Sequence, residues 1–329
     1  MKVGILGATG AVGSEMLNSL VEQNIKVDEL KLFASGKSAG KLVDFKGEKI
    51  AIEEAKEDCF KGLDIVLGAS ANPVAKRFAS NIVDNGAVFI DNSSAFRLYD
   101  DVPLIVPEIN GEDAKKHKGI IANPNCSTII TCMAVYPIAK LSKITKMITS
   151  TYQAVSGAGA EGITELEEEI ELLKAGKPLS PKVFPYQIAY NCIPQIGGKY
   201  DDDLYTTEEM KMENEGRKIM HLPELMVTCT CVRVPVFRSH CISVSLQTER
   251  DLSVCEVREA IKNFRNVQLK DELDDGIYPM PLETSNQNDV FVGRIRKDRV
   301  LDNGIALFCC GDQIRKGAAA NAVQIINCL

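Results

Sequence analysis

The sequence predicts an α/β protein in two parts, an N-terminal doubly wound parallel sheet of the Rossmann type and a second, α+β domain. Three observations carry this expectation. A glycine-rich turn follows the first apolar run, and short buried runs then alternate with helical stretches over residues 1–125. From residue 144 the texture changes to long strand-like runs, which suggest a mostly antiparallel sheet. With 329 residues, 45% of them hydrophobic, the chain is long enough to bury two cores.

The elements follow in order. "KVGIL" reads as a buried strand, "GATGAVG" as a turn, and "SEMLNSLVEQ" as a helix with Met16, Leu17, Leu20 and Val21 at helical spacing. "ELKLFAS" (29–35), "DIVLGAS" (64–70), "AVFIDNSS" (87–94), "PLIVPEI" (103–109) and "GIIANPN" (119–125) read as further strands, with "NPVAKRFASNIVDNG" a helix between two of them. Beyond them, "KMITSTYQAVSG" and "LMVTCTCVRVPVFRSHCISVSLQTE" read as long strands without regular helices between them. "EGITELEEEIELLKAG" reads as a helix with Ile163, Leu166, Ile170 and Leu173 packed and its glutamates in solvent, ending at Gly176. "NCIPQIGGKYDDDLYTTEE" reads as loop, and "DQIRKGAAANAVQIINCL" as a closely packing C-terminal helix. The domains expected are a cofactor-binding domain over 1–125, a catalytic and dimerisation domain over 126–312, and the helix 313–329 returning to the first.

The formal charge of −7 and the lack of any basic run exclude nucleic acid or an anionic membrane as the main partner and point to a small-molecule ligand. Most of the eleven cysteines lie in apolar runs such as "MVTCTCVRV" and "ALFCCG", the usage of reduced, buried thiols in a cytoplasm. No CxxC occurs, so no metal site is expected. The glycine-broken N-terminus does not read as a signal peptide, and no apolar run reaches spanning length.

Gly7, Gly10 and Gly13 form GxxGxxG in the context that a dinucleotide site requires, after a strand and before a helix. Glycines let the backbone approach a pyrophosphate, and the N–H groups of a helix start bind its charge. An NAD site carries an acid near the end of the second strand. "LKLFASGKSAG" offers instead Ser35, Lys37 and Ser38, suited to a 2′-phosphate, so NADP is the expected cofactor. Lys37 alone also fits a solvated loop lysine.

Cys126 in "NPNCST" follows a proline turn and begins a helix, where the dipole and free N–H groups favour a thiolate. On position alone, nucleophile and packing cysteine are balanced. Of the three histidines, His240 in "RVPVFRSHC" is the best placed acid/base, at the end of a strand that also carries Arg233 and Arg238. Arg233 in an apolar strand is costly unless paired, which leaves a structural ion pair and a bound carboxylate equally open.

Taken in order, "GATGAVG", "SGKSAGK", "DNSSAFR", "VPEIN", "NPNCSTI", "YQAVSGAG", "EEMKMENE", "RVPVFRSHC" and "NDVFVGRIRKD" resemble the aspartate-β-semialdehyde dehydrogenase family along nearly the whole chain. The resemblance implies an acyl-enzyme at Cys126, His240 as general acid/base, Gln153 positioning the thioester, and Asn125 assisting beside the nucleophile. It implies Arg233 on the substrate α-carboxylate, Glu208 on its amino group, and Arg97 and Lys211 on phosphate. For the cofactor it implies Thr9, Gly10, Ala11, Val12, Lys37, Ser38, Ser156, Gly157, and Gln313 or Asn321. Relatives often carry Arg where this chain has Lys37, which supplies charge without the bidentate fork. The implied reaction is NADP-dependent reductive dephosphorylation of L-aspartyl 4-phosphate, by a homodimer or tetramer.

Three other readings are set against it. N-acetyl-γ-glutamyl-phosphate reductases share the glycine motif and the cysteine, but resemble "PGCY" there, where this chain has Pro124-Asn125-Cys126-Ser127. A non-catalytic NADP-binding redox sensor would leave Cys126 merely oxidisable. A cysteine hydrolase would leave the glycine motif unexplained.

Overall fold

The computed structural model describes all residues, Met1–Leu329. The chain divides into two compact units, Met1–Asn125 with Ala318–Leu329, and Cys126–Gly317.

The first unit holds a seven-stranded sheet made of β1 (Lys2–Leu6), β2 (Glu29–Ala34), β3 (Leu42–Phe45), β4 (Glu48–Glu54), β5 (Ile65–Gly68), β6 (Val88–Asp91) and β7 (Ile120–Ala122). Their order is β3-β4-β2-β1-β5-β6-β7, parallel except where β3 pairs antiparallel to β4. The strand order reverses between β1 and β5, so their carboxyl ends form the switch point where open α/β sheets bind ligands. Two helices, α1 (Ala11–Glu22) and α2 (Asn72–Asp84), flank the sheet. Met16, Leu17 and Leu20 of α1 share one core with Val3, Ile5, Leu32, Leu67 and Ile90 of the strands. The C-terminal helix Ala320–Ile325 adds Ala322 and Val323 to that core, and Gln23 Nε2 donates to Ala320 O at 2.9 Å.

Two local readings of this unit are corrected. "PLIVPEI" is not a strand: only Leu104 bridges Ala122, and a third, short helix, α3 (Pro107–Asn110), follows at once. Pro107 fits the first helical position, and Asn110 takes the place of a neighbouring strand, accepting from Val106 N and donating to Leu104 O, both at 2.9 Å. The β3/β4 hairpin was not expected. Its turn is Lys46-Gly47 with φ of 54° and 85°, a tight turn of positive-φ residues without the usual Asn or Asp.

The second unit carries a six-stranded sheet made of β8 (Ile144–Gln153), β9 (Met226–Arg233), β10 (His240–Thr248), β11 (Val267–Leu269), β12 (Val290–Lys297) and β13 (Gly304–Gly311). The order is β11-β12-β13-β10-β8-β9, antiparallel in its middle and parallel at both edge pairs. The parallel β8/β9 pair demands a crossover, and two helices supply it, α5 (Ala160–Lys174) and α6 (Thr207–Met220), following α4 (Cys126–Ala139) in the chain. α5 is the helix expected from "EGITELEEEIELLKAG", whereas α6 was not expected, and the reading of long strands without regular helices between them is corrected there. The start of α6 is written in the sequence as a capping box, Thr206 and Glu209 each bonding the other's backbone N–H.

α5 ends as expected, with Gly176 at φ 65°, but not all its glutamates face water. Glu165 and Glu169 are buried. The sheet face away from the helices exposes Ile148, Tyr152 and Met226, with Tyr152 and Phe308 rings 6.2 Å apart. No helix is long and apolar enough to cross a membrane.

Candidate active site

In the first unit, the turn after β1 is shaped for close approach. Gly7 has φ 93°, and a Cβ there would lie 2.5 Å from Ala69 O; one on Gly13 would lie 2.2 Å from Gly7 O. Gly10, the N-cap of α1, has more room, its added Cβ meeting only Gly7 O at 3.6 Å. No side chain caps α1, so the N–H groups of its first turn, over Ala11, Val12 and Gly13, face the switch point with Thr9 just before them. Beside the turn, the buried Ser70 Oγ has no partner. A bare helix start, a glycine cradle and an orphaned hydroxyl fit a dinucleotide pyrophosphate.

After β2, Ser35 O accepts from Ser38 N at 2.9 Å, forming a turn on which Ser35 and Lys37 are exposed. The sequence reading missed one acid there: Glu54, at the end of the neighbouring β4, lies against Gly36 and is paired with Lys56 at 3.4 Å. Arg97 is buried in the loop after β6, donating Nη2 to Asn92 O at 2.8 Å. Asn321 is buried and spends its donors on Asn123 Oδ1 at 2.7 Å and Ile105 O at 2.9 Å, leaving only Oδ1 without a partner. Asn125 is the buried last residue of this unit's main segment.

In the second unit, sheet topology collects the candidates. Gln153 and Arg233 end the parallel strands β8 and β9 in direct register. His240 begins β10, antiparallel to β8, so it starts at the same edge, opposite Gly311. Arg233 and His240 thus come together although they occupy different strands, and Arg238 lies in the turn between, its Nε bonded to Asp312 Oδ2 at 2.5 Å. The 3-10 turn Val155–Ala158 follows Gln153, and a Cβ on Gly157 would lie 2.6 Å from Arg233 Nη1 and 3.2 Å from His240 Nε2. Only glycine leaves these two side chains their positions.

His240 is fully buried, and its Nδ1 accepts the Ala154 N–H at 3.1 Å. The neutral ring therefore carries its proton on Nε2, which has no protein partner. Burial, and secondarily the Arg233 charge, push its pKa down to about 3. A histidine depressed on folding stays neutral in the folded state while the unfolded chain takes up a proton below its ordinary 6.5, so stability is lost as pH falls from 6.5 toward 3. In urea unfolding between those limits, His240→Gln is expected to flatten the pH dependence by about 1.4 kcal/mol per pH unit. An unchanged slope would contradict the burial account.

Arg233 donates Nη1 to Ala154 O at 2.6 Å and packs its Cζ 5.8 Å from the Phe184 ring centre, but forms no salt bridge. Burial lowers its pKa, while Cys126 and Glu208 act to raise it. Without a salt bridge the ion-pair alternative falls, which leaves a buried cation with no paired carboxylate. Glu208, second residue of α6, is buried and accepts from Gln153 Nε2 at 3.3 Å and from Lys211 Nζ at 2.8 Å. Two residues expected to hold opposite ends of a substrate are therefore paired with each other. Gln313 uses both ends of its amide, accepting from Ser239 N at 2.9 Å and donating to Ser156 Oγ. Asp312 was not foreseen: fully buried, it accepts from the backbone N–H of Asn286, Ile314 and Arg315 and fixes the loop that carries Gln313.

Cys126 begins α4 and is half-buried, whereas burial pushes the thiols of Cys132 and Cys309 up, and the hydrogen bond with Cys310, together with burial, pushes that of Cys241 up. Gly317 sits beside it in the π-helical turn Arg315–Ala319, its N–H bonded five residues back to Asp312 O at 3.0 Å. A Cβ on Gly317 would lie 2.8 Å from Cys126 Cβ. Gly317→Ala is expected to displace Cys126, the candidate nucleophile, and to lower kcat roughly 10- to 100-fold with little change in substrate KM, read by steady-state kinetics.

The comparisons agree with this geometry. Residues 2–117 match the family model described as "Semialdehyde dehydrogenase, NAD binding domain", and residues 135–316 the one described as "Semialdehyde dehydrogenase, dimerisation domain". The fold and site therefore define a semialdehyde dehydrogenase with a nicotinamide-dinucleotide-binding unit and a dimerisation unit. Among relatives, aspartate-semialdehyde dehydrogenase of Aquifex aeolicus is 48% identical over 100% of this chain and 97% of its own length, and that of Bacillus subtilis 45% identical with the same coverage. The crystal structure of aspartate semialdehyde dehydrogenase II from Vibrio cholerae superposes with a TM-score of 0.96 at 40% identity, covering 99% of this chain and 97% of that one. The chain belongs to the aspartate-semialdehyde dehydrogenase family.

Proposed function

We propose that the protein reduces L-aspartyl 4-phosphate to L-aspartate 4-semialdehyde and phosphate through a thioester on Cys126, with NADPH as reductant, in the biosynthesis of lysine, threonine and methionine. The observation that carries this is the grouping of Cys126, His240 Nε2–H and the unpaired cation Arg233 in one unit with Glu208 and Lys211. When bound, the nicotinamide supplies hydride to the acyl carbon in this direction and accepts it in the other.

The Cys126 thiolate, at the start of α4, attacks the acyl carbon; the C–S bond forms, the C–O bond to phosphorus breaks, and phosphate leaves with both bonding electrons. Once hydride has reached the thioester carbon, the tetrahedral oxyanion re-forms its carbonyl and expels the Cys126 thiolate. His240, in its Nε2–H form, donates a hydrogen bond that stabilises the charge on this oxygen until the carbonyl re-forms. Gln153, held by Glu208, orients the thioester, and Asn125 assists beside the sulfur.

Arg233 takes the α-carboxylate. The Glu208–Lys211 pair opens to the substrate, Lys211 turning to phosphate and Glu208 to the ammonium, so the charges exchange partners rather than lose them. The family resemblance gives Arg97 to the same phosphate. Ser35, Lys37 and Ser38 favour NADP, with Gly7 to Gly13 cradling its pyrophosphate. Ser156, Gly157, Gln313 and Asn321 complete the cofactor contacts. The exposed Ile148, Tyr152 and Met226 face supports a homodimer, and the free thiols support a cytoplasmic location.

The test is phosphate-dependent NADP+ reduction with L-aspartate 4-semialdehyde and with N-acetyl-L-glutamate 5-semialdehyde. Activity is expected with the first. Activity with the second alone would refute the proposal, because an acetylated amine has no use for Glu208.

A further inference from the structure

Glu165 and Glu169, one turn apart on α5, direct their hydrogen bonds to a single segment, residues 182–189, Glu169 through Oε2 alone. Glu165 accepts the N–H groups of Lys182 at 2.7 Å, Val183 at 2.6 Å and Phe184 at 3.0 Å. Glu169 accepts those of Ile188 at 2.9 Å and Ala189 at 2.8 Å. They are only 7% and 3% exposed. Withdrawing two carboxylates from water to this depth is costly unless their hydrogen bonds fix something that matters.

What they fix adjoins Arg233. A few residues on, Ile193 exchanges both backbone hydrogen bonds with Arg233, each at 2.9 Å. Between the clamped N–H groups, Phe184 turns its ring to the Arg233 guanidinium and packs in a small core with Val155, Leu166, Ile188 and Ile193. Ala158, Phe184, Ile193, Gly197 and Arg233 line a cavity of about 180 Å³. The Arg233 side chain has one hydrogen bond, through Nη1 to Ala154, and no carboxylate paired with it, so beside the close approach of Gly157 the Phe184 face is a contact that sets its plane.

We propose that Glu165 and Glu169 are positioning residues for substrate recognition. They hold the 182–189 segment so that Phe184 fixes the Arg233 guanidinium for the substrate carboxylate. This rests on the reading of Arg233 as the carboxylate site.

The experiment compares steady-state constants and melting temperatures of Glu165→Gln, Phe184→Leu, their double variant and Arg233→Lys, with L-aspartate 4-semialdehyde, phosphate and NADP+ varied in turn. Glu165→Gln and Phe184→Leu are each expected to raise the semialdehyde KM about 5- to 10-fold, with kcat and the phosphate KM within about 2-fold of the parent. The double variant is expected to be no worse than the worse single one, because both act through the same ring. If Glu165→Gln instead lowers melting temperature and moves all constants alike, or if the two effects multiply, the carboxylates merely cap a loop and the inference is overturned. Should Glu165→Gln not fold, Phe184→Leu decides alone, an unchanged semialdehyde KM overturning the inference. Arg233→Lys separates the two levels. If it leaves the semialdehyde KM unchanged, the carboxylate reading itself has failed and the inference falls with it. If it raises that KM while the other variants do not, Arg233 keeps its role and only the positioning inference is lost.

Discussion

Cys126→Ala is expected to lower kcat by about 10⁴-fold or more while leaving cofactor affinity within about 2-fold and the melting temperature nearly unchanged. The size follows from removing the covalent route: without the sulfur there is no thioester, and phosphate and hydride chemistry are no longer joined at one carbon. The selectivity follows from position. Cys126 is half-buried at a helix start, so losing its Sγ opens little core volume, in contrast to Cys132, six residues further along α4 and fully buried. The redox-sensor alternative predicts no turnover in the parent and therefore none for the variant to lose. Stopped-flow kinetics and a cofactor titration of one preparation decide between them.

Arg233→Leu is expected to lower kcat/KM for the semialdehyde by about 10²- to 10³-fold, roughly 3–4 kcal/mol, as the site loses a charge-assisted bond to a desolvated carboxylate. Stability should not follow. Arg233 is buried without a salt bridge, so replacing it by an apolar side chain relieves desolvation rather than breaking a pair. An equal or higher melting temperature with collapsed kcat/KM is the expected signature of a cation held for a ligand. A substrate analogue lacking the α-carboxylate should be a poor substrate of the parent and lose little further in the variant. A large fall in melting temperature would show instead that Arg233 serves the fold.

The parallel sheet and its glycine turn were legible because period, turn chemistry and helix start agree locally. Gly7 and Gly13 are required by backbone contacts that their spacing anticipates. "PLIVPEI" was misread because its apolar run is that of a strand, whereas its pairing stops at one bridge to Ala122 and the Asn110 side chain takes Val106 N and Leu104 O, which no periodicity reports. Glu165 and Glu169 were misread for the same reason: a charge looks solvated until its partners, here backbone N–H groups some 19 residues away, are known. α6 could have been found from Thr206 and Glu209. Cys126 stood out by position, but His240, Gln153 and Arg233 could be joined only by resemblance, because strand ends from β8, β9 and β10 meet through register. The tautomer of His240 and the Glu208–Lys211 pair are tertiary facts with no linear signal.

The central claim is the covalent acyl-enzyme, and it is tested most directly without phosphate. Mixing the protein with L-aspartate 4-semialdehyde and NADP+ should release one NADPH per protomer in a rapid burst. Intact-mass analysis should then show an aspartyl group on the peptide containing Cys126, lost when phosphate is added. No burst, or an acyl group carried by another residue, would contradict the account.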